Sequence, residues 1–282
     1  MLKRTEPSLR FTQILNGITW ESSRLFGVTD MSEILRDLHL LADDTEIGQG
    51  CRMRVTLREE FSLMPQLFHL EIENLSESSA ELLSNCKEMA VRSNGSVLAA
   101  GDSIFCCPRW IDGRKILAVS FSYGFRLWKA SVSLSLAAGM KISDTIREVT
   151  KASGTGIPMA GYTARDFALT RPQAFFGRAC EALERLADSA DGRAGLTPAG
   201  VCVIGTGEQT PTVVMPEEEL LSEPIFLKDR VILKTGIVGW PLGTGVKFAW
   251  KGNIRNGVIV SRMMDLDNAD GPWESQIEVL GG

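Results

Sequence analysis

Histidine is almost missing from this chain. Of 282 residues, only His39 and His69 carry an imidazole. A hydrolytic triad would have to use one of them, and no GxSxG elbow is present to hold its serine. Neither histidine has another histidine or a cysteine at ligand spacing, so the common zinc patterns are excluded. His69 alternates with Glu71, which predicts a place on a solvated strand face.

Long apolar runs are missing as well. None approaches the ~20 residues that cross a bilayer, so no membrane span is expected. The first ten residues, MLKRTEPSLR, offer no apolar stretch and no small-residue cleavage site, and predict no secretory signal. A basic stripe is also lacking: the formal net charge is −5, and Lys3, Arg4 and Arg10 are too sparse for a nucleic-acid arm. The six cysteines (Cys51, Cys86, Cys106, Cys107, Cys180, Cys202) form no CxxC pair. Bridging the adjacent Cys106 and Cys107 would be strained. Reduced, mostly buried thiols are expected, with no disulfide, metal or cofactor.

What is present is ordinary globular composition, 44% hydrophobic and 23% charged. It is enough for a core without staples. At ~150 residues per domain the length suggests two domains.

Periodicity gives the elements. Asp30-x-x-Glu33 resembles a capping box, and Ile34, Leu35, Leu38 and Leu41 follow at helical spacing, predicting a helix over 32–41. Leu9 to Val28 mixes strand-like and loop-like pieces. Met53, Val55 and Leu57 alternate with polar residues, as do Phe68, Leu70 and Ile72, so two strands are expected. Ser76 or Ser78 can cap a short helix through Leu83. A meander follows over 89–92, 96–100, 103–107 and 116–123, cut by Asn94-Gly95, Gly101-Asp102 and Asp112-Gly113. Strand character continues from Arg126 to Leu136. Ser143 is the expected cap of a helix closed by Gly154. A second helix is expected from Pro172, with Phe176, Cys180, Leu183 and Leu186 as its apolar stripe. Residues 188–198 read as linker. Strands return at 201–204, 231–235, 245–250, 257–264 and 274–280.

Candidate chemistry is sparse. Ser153-Gly-Thr-Gly156, Gly205-Thr-Gly207 and Gly243-Thr-Gly245 lack the phosphate-loop patterns and read as turns. The Asp265–Asp270 run misses the EF-hand register, with Ala269 at its fifth position and Gly271 one residue late, so a polar turn is expected. Glu59 and Glu60 are neighbours whose side chains point apart, which makes no glycosidase pair. Glu217, Glu218 and Glu219 read as a solvated run. No catalytic, cofactor or metal residue is assigned. The six tryptophans, among them Trp273, are candidates for core or interface anchors.

Four stretches carry a resemblance: Phe68 to Ser76 (FHLEIENLS); Val132 to Gly139 followed by Ile142 to Ile146; the Pro172 to Leu186 stretch leading to Gly-Leu-Thr-Pro; and the series from Val231 through Asn256–Val260 and Asp265–Asp267 to Gly271-Pro-Trp273. In this order they resemble the baseplate hub proteins of long-tailed, mainly contractile, bacteriophages, of the Mu-like and late-control-D type. The resemblance covers about Cys51 to Leu280. It implies a mainly β fold with a minor α part (α+β), with two tail-tube-like β-barrels joined by a helix-containing middle domain. On this sequence that reads as 1–128 for the first barrel (1–50 unassigned), 129–197 for the middle and 198–282 for the second barrel.

The resemblance also implies a homotrimer whose six barrels match the six-fold tail tube above and the three-fold central spike below, around a DNA channel. Expected partners are the spike, the tail tube or distal tube-initiator proteins, the baseplate wedge proteins and the tape measure protein. The expected place is the virion tail baseplate, assembled in the host cytoplasm. A net negative chain would help a lumen repel DNA. No active site is implied. Two other readings are a tail-associated cell-wall hydrolase and a β-rich receptor- or carbohydrate-binding module.

Overall fold

The chain is described from a computed structural model that defines residues 36–205, 213–237 and 239–281. The Leu9–Val28 pieces, the first residues of the expected 32–41 helix, and Thr206 and Gly207 of the second glycine-rich turn lie outside them.

The fold is mainly β with a minor helical part. The N-terminal strands are β1 (His39–Ala42), β2 (Thr45–Ile47), β3 (Met53–Glu60), β4 (Gln66–Glu73), β5 (Glu88–Ser93), β6 (Ser96–Ile111) and β7 (Arg114–Tyr123), with helix α1 (Glu77–Asn85) between β4 and β5. The middle holds α2 (Phe125–Lys129), β8 (Ser131–Leu136), α3 (Ile142–Ala152), β9 (Met159–Tyr162), β10 (Gln173–Arg178), α4 (Ala179–Ser189), β11 (Gly192–Thr197) and β12 (Gly200–Gly205). The C-terminal strands are β13 (Val213–Met215), β14 (Ile225–Phe226), β15 (Arg230–Thr235), β16 (Gly245–Trp250), β17 (Asn253–Asp267) and β18 (Trp273–Leu280).

N- and C-terminal strands belong to one 13-stranded sheet in the order β14-β15-β18-β17-β3-β4-β7-β6-β5-β1-β2, with β16 on β17 and β13 on β16. The seam is the antiparallel pair β17–β3, in which Ser261 lies opposite Glu60 and Asp267 opposite Arg54. The middle builds two small sheets, β10–β8 and β11–β12–β9. Helices α3 and α4 pack on each other, α3 also on β8 and β9, and α4 on β10 and β11.

Two apolar cores result. The larger takes inward residues of β1 to β7, the buried stripes of α3 and α4, and Met264 and Leu266 of β17. The smaller takes Met215, Val231, Leu233, Phe248, Ile277 and Val279, with Val258, Ile259 and Val260 of β17. One strand therefore serves both cores. Its pairing with β18 shifts register between Ile259 and Ser261. At that irregularity β17 also exchanges β16, which it pairs through Val258, for β3, which it pairs from Ser261. Such a shift lets a strand re-aim its side chains and bend.

Several local expectations hold. Ser76 caps α1, its Oγ accepting from the Ser79 N–H at 3.2 Å. Asn94-Gly95 and Asp112-Gly113 turn with positive φ at both residues (48° and 76°; 48° and 75°), the backbone of a tight I′ hairpin turn.

Others are corrected. Residues 39–42 form strand β1, not the end of a helix, because Leu38, Leu40 and Ala42 are buried at a spacing of two. Gly101-Asp102 is no turn: β6 runs straight through it. A Cβ on Gly101 would meet the Ser122 carbonyl at 2.3 Å, so this glycine serves close strand approach. Residues 125–129 form the short helix α2, with Leu127 buried, before strand β8 begins. Ser143 is not the cap of α3. Lys141 takes that place, and Asp166 from a neighbouring loop accepts from the Ser143 N–H (3.1 Å) and hydroxyl (2.9 Å).

The stretch from Gln173 is strand β10, paired to β8. Phe176 stands out from it at 91% exposure, and the helix starts only at Ala179, where strong helix formers begin. Residues 192–197 are the buried strand β11 rather than linker. A Cβ on Gly195 would meet the Phe61 ring at 2.7 Å, so small residues here permit packing. Trp273 is the first residue of β18, not the residue before it, and it packs half-buried against the larger core. Only Cys180 of the cysteines is buried; the other five are partly exposed.

Candidate assembly interface

Of the sites nominated from sequence, none gathers into a catalytic constellation. His39 sits on β1, hydrogen-bonded to Glu46 and 2.6 Å from Asp37. Those two carboxylates, Glu46 first, raise its pKa above the ordinary value. His69 is exposed and meets Ser120 Oγ at 2.9 Å. Among the described residues no three His, Cys, Asp or Glu side chains converge as a metal site would require. Burial pushes up the thiols of Cys86, Cys180 and Cys202, which works against nucleophilic use. One shallow cleft of about 190 Å³ lies between α1 and the β6–β7 hairpin, lined by Leu75, Ala80, Pro108, Lys115 and Leu117.

Of the Asp265–Asp270 run, expected to be a polar turn, Asp265 to Asp267 are the last residues of strand β17, paired to β18, and only Asn268 onward forms the connection to β18. Asp267 is fully buried there. Its Oδ2 accepts from Arg52 Nη2 (2.8 Å) and Arg54 Nη2 (3.3 Å), and its Oδ1 accepts from the Ala269 N–H (2.9 Å). Burial alone would raise this carboxyl; the hydrogen bonds from Arg52 and Ala269 outweigh it and hold the pKa below the usual aspartate value. Arg36 donates to the carbonyls of Ala269 (2.7 Å) and Gly271 (2.9 Å). Arginines thus fasten the end of β17 to the start of β3.

Sequence reading passed over a second buried charge. Glu59 is 1% and Arg262 4% exposed. Arg262 donates from Nε to Glu59 Oε2 at 2.6 Å and from Nη2 to the same oxygen. It also donates to the carbonyls of Trp240 (3.2 Å) and Leu98 (3.4 Å). The Tyr123 hydroxyl lies 3.3 Å from Glu59 Oε1. Burial, then the Glu59 charge, push the Tyr123 pKa well up, so it remains a neutral donor. This cluster lies just past the β17 irregularity, where β3, β7, β17 and the Trp240 loop meet. A signal for it does exist in the sequence: Glu59 is in phase with Met53, Val55 and Leu57, and Arg262 with Met264 and Leu266. A charge on an apolar strand face needs a partner.

The surface offers two apolar edges. β5 pairs β6 only as far as Asp102. Beyond Ser103, β6 has β7 on one side and, among the described residues, no strand on the other. Ile104, Phe105, Trp110 and Ile111 are exposed along this stretch, Trp110 at 72%. At the far end of the sheet, β14 pairs only β15 among the described residues. Leu221, Ile225, Phe226 and Leu227 are exposed there, and Arg255 stacks on the Phe226 ring at 4.8 Å. Open edges and large exposed apolar side chains mark association surfaces.

No family model matches the chain, and no curated protein does. Solved structures do. A tail protein from Neisseria meningitidis MC58 superposes with a TM-score of 0.64 at 14% identity, over 86% of this chain and 95% of that one. The 43 kDa tail protein of prophage MuSo2 from Shewanella oneidensis gives 0.64 at 11% identity, over 86% and 96%. An E. coli component of the type VI secretion system, described as structurally similar to the T4 bacteriophage tail proteins gp27 and gp5, gives 0.54 at 8% identity, over 82% and 73%. The chain has the fold of these tail proteins, matched over nearly the whole length of the first two.

Proposed function

We propose that this chain is a structural subunit of a phage-type tail, and within the tail the hub of the baseplate. In this reading three copies close into a pseudo-six-fold ring that joins the six-fold tail tube to the three-fold central spike and lines the DNA channel. The observation that carries it is the pair of apolar cores strung along one sheet, in a chain with the fold of tail proteins. In this reading one tube-like barrel lies within 1–128 and the other within 198–282, with 129–197 as the middle domain; the smaller core, apart from Phe61, falls in the second barrel, and the larger core joins the first barrel to the middle domain. Two such units per chain give six per trimer. The likeness to an E. coli protein described as similar to both gp27 and gp5 supports a place where tube and spike meet.

The role is assembly, not catalysis, and the site is the virion tail baseplate, with assembly in the host cytoplasm. Partners are the spike, the tube or tube-initiator proteins, and, at the periphery, wedge and tape measure proteins. Light scattering across a concentration series tests the central claim. A mass three times 30.9 kDa is expected for the chain alone, or three copies plus the spike when the spike is added. A strict monomer under both conditions refutes it.

A further inference from the structure

We propose that the distal half of β6 and the β14 edge are the two unlike halves of one contact, so that each copy of this chain docks its β6 edge on the β14 edge of the next. This rests on the ring reading above and adds which surfaces close the ring.

The sheet has two unlike margins. Among the described residues β14 is one end of the sheet, and beyond Ser103 β6 has no strand beside it other than β7, helix α1 packing against part of that stretch; β15, β18, β17, β3, β4 and β7 lie between β14 and β6 in order. A head-to-tail contact uses two different patches of one chain, and it makes a closed ring when its rotation closes. A self-complementary patch would stop at a dimer.

Charge matches the two patches. Along 103–116 the cations Arg109, Arg114 and Lys115 face a single carboxylate, Asp112. Along 216–229 the carboxylates Glu217, Glu218, Glu219, Glu223 and Asp229 face a single cation, Lys228. Some of these charges are already engaged: Arg114 with Glu73 (3.1 Å), Lys115 with Glu77 (3.8 Å), Glu223 with Lys251 (3.5 Å) and Asp229 with Arg230 (4.0 Å). Arg109, Glu218 and Glu219 have no ion-pair partner among the described residues and are exposed. Although Glu219 is exposed as a residue, partial burial of its carboxyl and then the neighbouring Glu218 raise its pKa, and a cation placed beside the pair relieves that repulsion.

Apolar side chains flank both edges: Phe105 and Ile111 lie on the face of β6 that carries Arg109, with Trp110 on the opposite face, while Ile225 and Phe226 stand on opposite faces of β14 with Leu221 and Leu227 beside them. An apolar centre with an aromatic anchor and a charged rim is the usual build of a protein–protein contact. Pro108 and Pro224 each remove an N–H from these edges, so side chains rather than an unbroken ladder carry the contact.

Charge reversal tests the pairing. Arg109→Glu alone, and Glu218→Arg with Glu219→Arg, should each weaken the trimer at least about tenfold in sedimentation or light scattering. The three changes together in one chain should restore association to within about threefold, because each contact then sets the new carboxylate at position 109 of one copy against the new guanidinium groups at positions 218 and 219 of the next. Circular dichroism melts confirm that every variant folds. If the wild-type trimer forms but ignores both reversals, or the combination fails to rescue, this contact is wrong while the ring stands. If the wild type stays monomeric at every concentration, alone and with the spike, both readings fall.

Discussion

Arg262→Met removes the guanidinium and leaves a four-atom apolar side chain in its place. Glu59 then remains buried, with the Tyr123 hydroxyl at 3.3 Å and without the two donors it had from Arg262. The carbonyls of Leu98 and Trp240 each lose a donor too. Removing one member of a buried ion pair costs about 3–5 kcal/mol, because the survivor's charge stays desolvated. Domain stabilities run to roughly 5–15 kcal/mol, so this one change takes a large share. The paired replacement behaves differently: Glu59→Leu with Arg262→Met removes both charges together and is expected to fall within about 1–2 kcal/mol of the original chain. The assay is urea unfolding followed by tryptophan fluorescence, run as a double-mutant cycle. The position of the pair adds a second readout. It sits where the two cores adjoin, so hydrogen exchange in β15 and β18 should quicken in Arg262→Met more than exchange in β4 and β7. A single-variant loss below about 1 kcal/mol, or a double variant equal to the sum of its singles, would show that the pair does not hold the seam.

Two further outcomes follow from the same seam. Asp267 has its pKa lowered in the folded chain, so its contribution to stability is complete above the unfolded value of about 3.9 and is lost as pH falls through the lower folded value; Asp267→Asn should lower stability at neutral pH and flatten the acid limb of an unfolding profile taken from pH 7 down to about 2. Truncation after Met264 deletes β18, which pairs both β15 and β17, and should give insoluble protein in a sedimentation assay of expressed chains, whereas a soluble truncated chain that still assembles would refute the place given to β18.

Elements with strict period-two patterns were legible from sequence: β3 and β4 alternate without a break, and the structure buries the apolar half of each. Where two periods fit the same residues, the reading failed. Leu38 and Leu41 suit a helix, yet Leu38, Leu40 and Ala42 suit a strand, and pairing to β5 decided for the strand. Glycine misled for a physical reason. At Gly101 and Gly195 it makes room for a neighbour, which in sequence looks the same as a turn. The open edge of β6 was hidden because two expected short strands are one long strand that outruns its neighbour β5. The Glu59–Arg262 pair left a trace in the phase of each strand, but matching the two required knowing that β3 and β17 are adjacent.

That adjacency has a consequence for how the chain is made. Glu59 and Arg262 are 203 residues apart, and β3 has no permanent neighbour on its β17 side until the far strand exists. At roughly 5–20 residues per second, the ribosome leaves β3 waiting for about 10–40 seconds. During that interval the nascent N-terminal strands present an apolar margin to other nascent chains on the same message. Contacts of such long sequence separation also slow the final closure. A chaperone that shelters strand edges, or a slow supply of chains, should therefore raise the yield of native protein more than any change in the strands already formed.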